Sequence, residues 1–416
     1  MKTPSEEAAA PGAGTLTGFI AESGAPCLIR YEDGLITAIE GVASAPPVWI
    51  SPGFIDLQVN GFGGHDFNGP DRAQDEVGGA VRALWSHGVT TVCPTICTEA
   101  EEHILCCLRT IADARDGNPL VAHAIPAIHV EGPHISAEDG PRGVHPRALV
   151  RPPAVDEYRR WQVAARGLVG VVTVAPELPG AIDYIRSLVE DGVIVAIGHT
   201  AAGEAEIRAA VEAGARLSTH LGNGAHTTIR RHPNYIWEQL AEDRLWASLI
   251  LDGRHLPRSV IRTFLRAKGV ERIAAVSDAV TFAGMAPGVY EGFGTQLELR
   301  DDGTLVMAGT PYLAGSTSAL DTAVAVAVRD GGLGVRDAVR LVTTNPASLL
   351  AGRLEPGRGS LTVGAPADLV AFRIDPAGGE VTVELTVVEG REVFHRDRAR
   401  PGPRPRAPAL GERSGA

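Results

Sequence analysis

The sequence has no run of about 18 consecutive apolar residues, the length a membrane-spanning helix needs, so nothing in it predicts a membrane span or a membrane partner. Its opening stretch, M-K-T-P-S-E-E-A-A-A-P-G-A-G, carries no apolar core of the kind that marks a secretory signal peptide. Cysteine is scarce: five in 416 residues, an odd count with no C-x-x-C pair. That argues against a disulfide framework and predicts reduced thiols in a cytoplasmic protein. Cys93 and Cys97 flank Pro94-Thr95-Ile96, and both read as buried thiols rather than metal ligands. Positive charge is in deficit, 38 Lys and Arg against 50 Asp and Glu, and the net charge of −12 argues against a general nucleic-acid binder. It leaves an anionic small substrate open, because the local charge of a site can oppose the global sign.

What is present concentrates in residues 193–223. V-I-V-A-I-G-H-T is an apolar, β-branched strand that ends on His199. A short helix follows, with Ile207, Ala210, Val211 and Gly214 at helical spacing, and then R-L-S-T-H-L-G-N forms a second strand that ends on His220. This is a β-α-β unit with an imidazole at the C-terminal end of each strand, the end that faces the active site in parallel α/β folds. One histidine so placed is more often an ordinary polar residue closing a strand. Two on consecutive strands suit a divalent metal such as zinc.

The rest of the chain frames that unit. Residues 1–14 are rich in Ala, Pro, Gly and Glu and are expected to be disordered. Short β-like pieces occupy 15–51, with Glu32-Asp33-Gly34 as a hairpin turn, and matching pieces occupy 359–395. Each set is too small to stand alone, which predicts one small β-domain, a sandwich, built from both ends of the chain. Residues 52–358 read as eight strand–helix units, with strands at 54–60, 90–96, 124–131, 169–177, 193–200, 216–223, 245–253 and 272–280. Helical patterns lie between them, for example at 71–87, 99–116, 181–191 and 257–268. Strands alternating with helices imply a parallel sheet, and eight of them imply a closed (β/α)8 barrel, which takes roughly 250 residues. A hairpin turning at Asp302-Gly303 interrupts the pattern, and helices at 318–329 and 335–351 complete it. The Arg- and Pro-rich tail, 396–416, fits a disordered, solvated segment better than a nucleic-acid-binding one.

Four predicted strand ends carry reactive side chains: Glu131 on the third strand, His199 and His220 on the fifth and sixth, and Asp278 on the eighth. Glu131, His199 and His220 make a two-histidine, one-carboxylate set that leaves a coordination position open, as catalytic metal sites require. A metal so held can lower the pKa of water to about 7 and polarise a carbonyl. Asp278 is then placed to take the proton of the water and pass it to a leaving group. Alone, Asp278 would serve equally well as a helix N-cap, and Glu131 as half of a buried ion pair. Four such residues at four strand ends are what point to a site. His129 shares a strand face with Glu131, a position for orienting the site or for packing. Where many metal-dependent hydrolases carry a His-x-His pair, Gln58-Val59-Asn60 offers amides, which are poor zinc ligands, so one metal per chain is expected.

The ordered set P-G-F-I-D-L-Q-V-N-G (52–61), H-V-E-G-P (129–133), I-G-H-T (197–200), S-T-H-L-G-N-G (218–224), D-G-R-H-L (252–256) and V-S-D-A (276–279) resembles the N-acetylglucosamine-6-phosphate deacetylases of the amidohydrolase superfamily. The resemblance runs from about residue 16 to 394. It implies a metal-bearing (β/α)8 barrel with a small β-domain, a homodimer, and removal of acetate from an amino-sugar phosphate. It puts Glu131, His199 and His220 on the family's metal ligands and Asp278 on its catalytic acid/base. By the same resemblance His145 and His255 contact the sugar or its acetyl group. Asn223, Gly224 and Arg231 fall on the phosphate-binding segment, with the arginine reaching from the partner subunit. Two stretches depart from the family's pattern. Asn223-Gly224-Ala225-His226 stands where Asn-Ala-Met is common, and His232-Pro233-Asn234-Tyr235-Ile236-Trp237 is unusual. Both lie toward the phosphate end, so another N-acetylated hexosamine phosphate or a different amide is the alternative substrate. A non-catalytic barrel scaffold would be expected to have lost metal ligands, and all four reactive residues are present.

Overall fold

The computed structural model describes residues 12–69, 74–292, 295–309, 313–375 and 379–398. Of the two chain ends expected to be disordered, 1–11 and 399–416 lie outside the described residues.

Both ends of the chain enter one seven-stranded sheet, in the order Arg391–His395, Val381–Val388, Leu369–Ile374, Trp49–Pro52, Gly14–Ile20, Pro26–Glu32 and Leu35–Gly41. Asp33 and Gly34 both have positive φ (51° and 82°), the backbone of a two-residue hairpin turn that matches strand twist. The sheet curls back on itself, for the Ile36 N–H donates to the Ala365 carbonyl (2.9 Å) and Leu35 bridges Pro366. The expected sandwich is therefore one continuous sheet folded over a core that includes Leu16, Ile29, Ile36, Ile50, Leu369 and Val387.

The eight strands of the central sheet are Phe54–Val59, Val89–Cys97, Ile128–Glu131, Val169–Val174, Ile194–Ile197, Leu217–Ser218, Trp246–Ile250 and Ile273–Val276, each hydrogen-bonded in parallel to the next. They run as near-continuous apolar, β-branched segments because both faces are covered. On the fifth strand Ile194 and Ala196 belong to one apolar cluster, while Val195 and Ile197 join the cluster shared with the helices. The first cluster fills the barrel and the second forms the strand–helix layer. The helix Arg258–Lys268 shows how that layer is built. It buries Ile261, Phe264 and Leu265 on one stripe and keeps Arg266 and Lys268 for the last turn, where cations favour the helix dipole. Full burial of each such apolar side chain stabilises by roughly 1.5–3 kcal/mol.

The barrel closes between its first and eighth strands without a regular ladder. Asp278 N–H donates to Gln58 O (2.9 Å), Asn60 N–H donates to Ala279 O (2.8 Å), and Val59 bridges Ala279 in parallel. Below them the Asp56 carboxylate takes the place of a backbone partner, accepting from the backbone N–H groups of Gln58 (3.3 Å) and Ser277 (3.2 Å). Near the bottom of the seam the carbonyls of Leu341 and Val342 accept from Ala275 and Ile55. That requirement breaks the helix expected at 335–351 into Val335–Arg340 and Thr344–Leu349. A second difference is that the third strand starts at Ile128 rather than 124. The preceding stretch is a helix, Pro119–Ala124, capped by the Asn118 side chain and opened by proline at its first position. The hairpin after the eighth strand has a third strand, Gly288–Gly292, and its own small core of Phe282, Tyr290, Leu297 and Leu305.

Candidate metal centre and active site

The barrel interior changes from apolar to polar toward the C-terminal ends of the strands. His129 sits in the first polar layer, buried, with Nδ1 3.2 Å from the Leu57 carbonyl and Nε2 2.8 Å from the Thr173 hydroxyl. Burial pushes its pKa down to about 4, so the ring is neutral and donates from Nδ1 to the carbonyl. Nε2 then accepts from Thr173, and the Thr219 hydroxyl, 2.7 Å from Thr173 Oγ1, donates in turn. His129 thus floors the site, with both ring nitrogens engaged by Leu57 and Thr173.

Above this floor the four predicted residues come together. Glu131 Oε1 lies 3.1 Å from His199 Nε2 and 2.9 Å from His220 Nε2, and the two Nε2 atoms are 3.1 Å apart. Among the described residues this is the one group of three or more His, Cys, Asp or Glu whose ligand atoms all lie within 4.8 Å of one another. His199 Nδ1 faces the Pro141 carbonyl at 2.7 Å. A carbonyl only accepts, so Nδ1 carries a proton and Nε2 is the ring nitrogen left to face Glu131 and His220 as a metal donor. Lone pairs meeting this closely repel unless positive charge sits among them. Bonds of about 2.0–2.2 Å to a zinc-sized cation put tetrahedral neighbours about 3.3–3.6 Å apart, so a small outward movement of the three side chains would accommodate one. The donor set and its geometry therefore fit a divalent metal.

The backbone shows how the residues are aimed. Six described non-glycine residues have positive φ, and three of them are His199 (49°), His220 (28°) and Asp278 (48°). Each stands immediately past or shortly beyond a barrel strand, where the left-handed turn swings the side chain over the mouth. Such conformations cost on the order of 1–3 kcal/mol each and persist where the surroundings hold them. His220 is held by its N–H, which donates to Ser248 Oγ on the next strand (2.7 Å).

Asp278 is partly buried and is gripped through one oxygen. Its Oδ1 accepts from Asn60 Nδ2 (2.8 Å) and Gln58 Nε2 (3.1 Å), and Gln58 Nε2 also reaches Glu131 Oε1 (2.9 Å). The two amides thus hold carboxylates. Burial and the nearby Glu131 charge push Asp278 up to about 6, which suits a group that must take and return a proton near neutrality.

The remaining predicted residues occupy the rim. His145 is buried with its ring centroid 4.5 Å from that of His199, and burial and the His199 ring push its pKa down to about 3, so it is neutral. His255 is fixed by Asp252, whose Oδ2 lies 2.7 Å from Nδ1 and whose Oδ1 accepts the His255 N–H (2.9 Å). Asn223 donates its N–H to the His220 carbonyl (2.9 Å). Gly224 packs on the His199 ring so closely that a Cβ there would stand 2.7 Å from Nδ1. Arg231 is different: it lies exposed on the loop after the sixth strand, as does Arg230. Sequence reasoning missed the Pro141 carbonyl, Asp252 as the anchor of His255, and Cys97, whose Sγ lies 3.0 Å from Asn60 Oδ1. The D-x-x-H spacing of Asp252 and His255 carried a signal; the backbone carbonyl carried none.

The amidohydrolase family model matches residues 49–393. The chain belongs to the amidohydrolase family. Among its relatives is an N-acetylglucosamine-6-phosphate deacetylase of Bos taurus, 35% identical over 367 residues, covering 85% of this chain and 85% of that one. Another is an N-acetylgalactosamine-6-phosphate deacetylase of Escherichia coli O157:H7, 31% identical over 346 residues, 80% of this chain and 89% of that one. The crystal structure of N-acetyl-D-glucosamine-6-phosphate deacetylase from Mycobacterium smegmatis superposes with a TM-score of 0.81 at 31% identity, covering 91% of this amidohydrolase and 100% of that chain. A mutant of that enzyme in complex with N-acetyl-D-glucosamine-6-phosphate gives the same TM-score at 30% identity, over 92% and 99% of the two chains. This amidohydrolase is a hydrolase of carbon–nitrogen bonds, and its relatives place it with the hexosamine-phosphate deacetylases.

Proposed function

We propose that this amidohydrolase cleaves the N-acetyl group of N-acetylglucosamine-6-phosphate, giving glucosamine-6-phosphate and acetate. The observation that carries the reading is the convergence of Glu131, His199 and His220 beside an Asp278 held by two amides. Glu131, His199 and His220 would hold one divalent cation per chain, expected to be zinc; when bound, it supplies Lewis acidity to the acetyl carbonyl and acidifies water. Asp278 accepts the proton of the attacking water as the new C–O bond forms. It returns that proton to the nitrogen as the C–N bond breaks, so the amine leaves neutral and the carboxylate is regenerated. His255, oriented by Asp252, and the neutral His145 would hydrogen-bond the sugar or its acetyl oxygen. Asn223, Gly224 and Arg231 would receive the phosphate, with the exposed Arg231 reaching into the site of a second subunit in a homodimer. A planar guanidinium matches phosphate with paired donors. No described helix is long and apolar enough to cross a membrane, and we place the enzyme in the cytoplasm.

The N-acetylgalactosamine-6-phosphate deacetylase has an identity to this chain close to that of the N-acetylglucosamine-6-phosphate deacetylase, which keeps the C4 epimer as a second substrate. Acetate release from both 6-phosphates and from the unphosphorylated sugars tests the reading. The expected order in kcat/KM is the glucosamine phosphate first, its epimer next and the free sugars last. Failure to release acetate from either phosphate would remove the proposal.

A further inference from the structure

Asp278 is gripped by two amides, and one of those amides is gripped by a thiol. Cys97 ends the second barrel strand, where its N–H donates to Asn68 Oδ1 (2.8 Å). Its Sγ lies 3.0 Å from Asn60 Oδ1 and 3.9 Å from Glu131 Oε2. The polarity of these contacts follows from Asp278. An ionised carboxylate only accepts, so the end of the Asn60 amide that faces it at 2.8 Å is the NH2 group. The amide oxygen therefore turns toward Cys97, where the sulfur has two oxygen atoms as neighbours, and the S–H donates to it.

That donor reinforces the orientation that the Asp278 carboxylate favours. The two ends of an amide are nearly equal in shape, so hydrogen bonding selects between its two flip states. The Asn60 backbone is fixed, with its N–H on the Ala279 carbonyl (2.8 Å) and its carbonyl on the Phe67 N–H (3.0 Å), so rotation of the amide is its remaining freedom. In the flipped state Asn60 would turn its oxygen on the Asp278 carboxylate. Gln58 would then have to hold Asp278 alone with an NH2 group it already shares with Glu131.

We propose that Cys97 is a positioning residue for the hydrolysis: its thiol fixes the amide of Asn60 so that Nδ2 faces Asp278, an inference that rests on the reading of Asp278 as the base. Substitutions that differ in donor capacity but not in shape test it. Cys97→Thr and Cys97→Val have side chains of nearly equal volume, and only threonine donates; Cys97→Ser and Cys97→Ala repeat the contrast in a smaller side chain. Each is measured in the metal-loaded enzyme for kcat and KM of acetate release, with metal content and Tm as controls on folding. Loss of one hydrogen bond predicts that Val and Ala lower kcat about three- to tenfold at little-changed KM and unchanged metal content, while Thr and Ser stay near the parent. In an Asn60→Ala background the donor should no longer matter, since the thiol would have no amide to fix. Equal kcat for Thr and Val, or a difference that persists without the Asn60 amide, overturns the proposal. Asp278→Asn separates the two levels. A fully active Asp278→Asn enzyme removes the base assignment itself, whereas an inactive one combined with equal Thr and Val variants removes the role of Cys97 alone.

Discussion

Asp278→Asn is the substitution that isolates proton transfer from everything else the site does. The residue has φ 48°, a left-handed conformation that asparagine tolerates better than most residues, so the turn can survive the change. The asparagine Oδ1 can still accept from Asn60 Nδ2 and Gln58 Nε2, which in the parent lie 2.8 and 3.1 Å from Asp278 Oδ1. The second carboxylate oxygen is replaced by an NH2 group, which donates where the reaction needs an acceptor. Position is kept and basicity is lost. Loss of general-base help alone costs about 10²–10⁴-fold in kcat, or about 3–5 kcal/mol of barrier. The assay is steady-state acetate release on a preparation whose metal content equals that of the parent, because Glu131, His199 and His220 are untouched. Retention of more than half the parent kcat would refute the reasoning and make Asp278 a structural residue. A parallel fall in metal content would mean that the carboxylate serves the metal instead.

Three further outcomes are expected. Elemental analysis of protein purified without added metal should give near one equivalent of zinc per chain, since Gln58 and Asn60 engage carboxylates; two equivalents at full activity would contradict this. Arg231→Ala should lower kcat/KM for the phosphorylated sugar by about ten- to a hundredfold, the worth of a charged hydrogen bond, and leave the unphosphorylated sugar unchanged. Mixing that variant with Asp278→Asn chains should restore activity if the arginine acts across a dimer, and equal losses on both sugars would exclude a phosphate contact. Acid should loosen the junction between sheet and barrel at Asp368: burial raises its carboxyl, but the Arg358 charge and the His123 hydrogen bond outweigh burial and bring it from 3.8 down to about 2. A depressed folded pKa means stability that is complete above the unfolded value and lost as pH falls, here on the order of 2 kcal/mol between about pH 4 and 2. Asp368→Asn should abolish that share of the acid dependence in denaturant titrations, and an unchanged acid limb would show that the group is not linked to folding.

The barrel was legible because burial on both faces leaves its strands little choice of composition: apolar, β-branched runs alternating with amphipathic helices admit few other folds. Legibility ended where pairing depends on distant chain. The sixth strand, expected over 216–223, is reduced to Leu217–Ser218 because the segment turns at His220 to present its ring. The helix expected over 335–351 breaks because the carbonyls of Leu341 and Val342 serve donors on the first and eighth strands. No local propensity announces that demand. Asn118-Pro119, by contrast, was a readable helix start inside the stretch leading to the third strand, and it explains why that strand begins late.

The site divides in the same way, by whether chemistry or conformation does the telling. Histidine and carboxylate at the ends of apolar runs are conspicuous, since burial there is costly without a purpose. Cys97 ends such a run too, but a thiol inside apolar sequence reads as a small hydrophobe, and only the amide it faces gives it a role. The positive φ of His199, His220 and Asp278 could not be read at all, because none of the three is glycine and the sequence shows no strain. Yet that conformation is what makes one site of three separate strand ends. An extended residue would alternate its side chain into the barrel or out to the helices. The left-handed turn aims it across the mouth instead, and the cost is offset by fixed partners, Pro141 O for His199, Ser248 Oγ for His220 and the two amides for Asp278. The strained positions and their partners therefore form one unit: removing a partner should release the turn before it disturbs the barrel beneath.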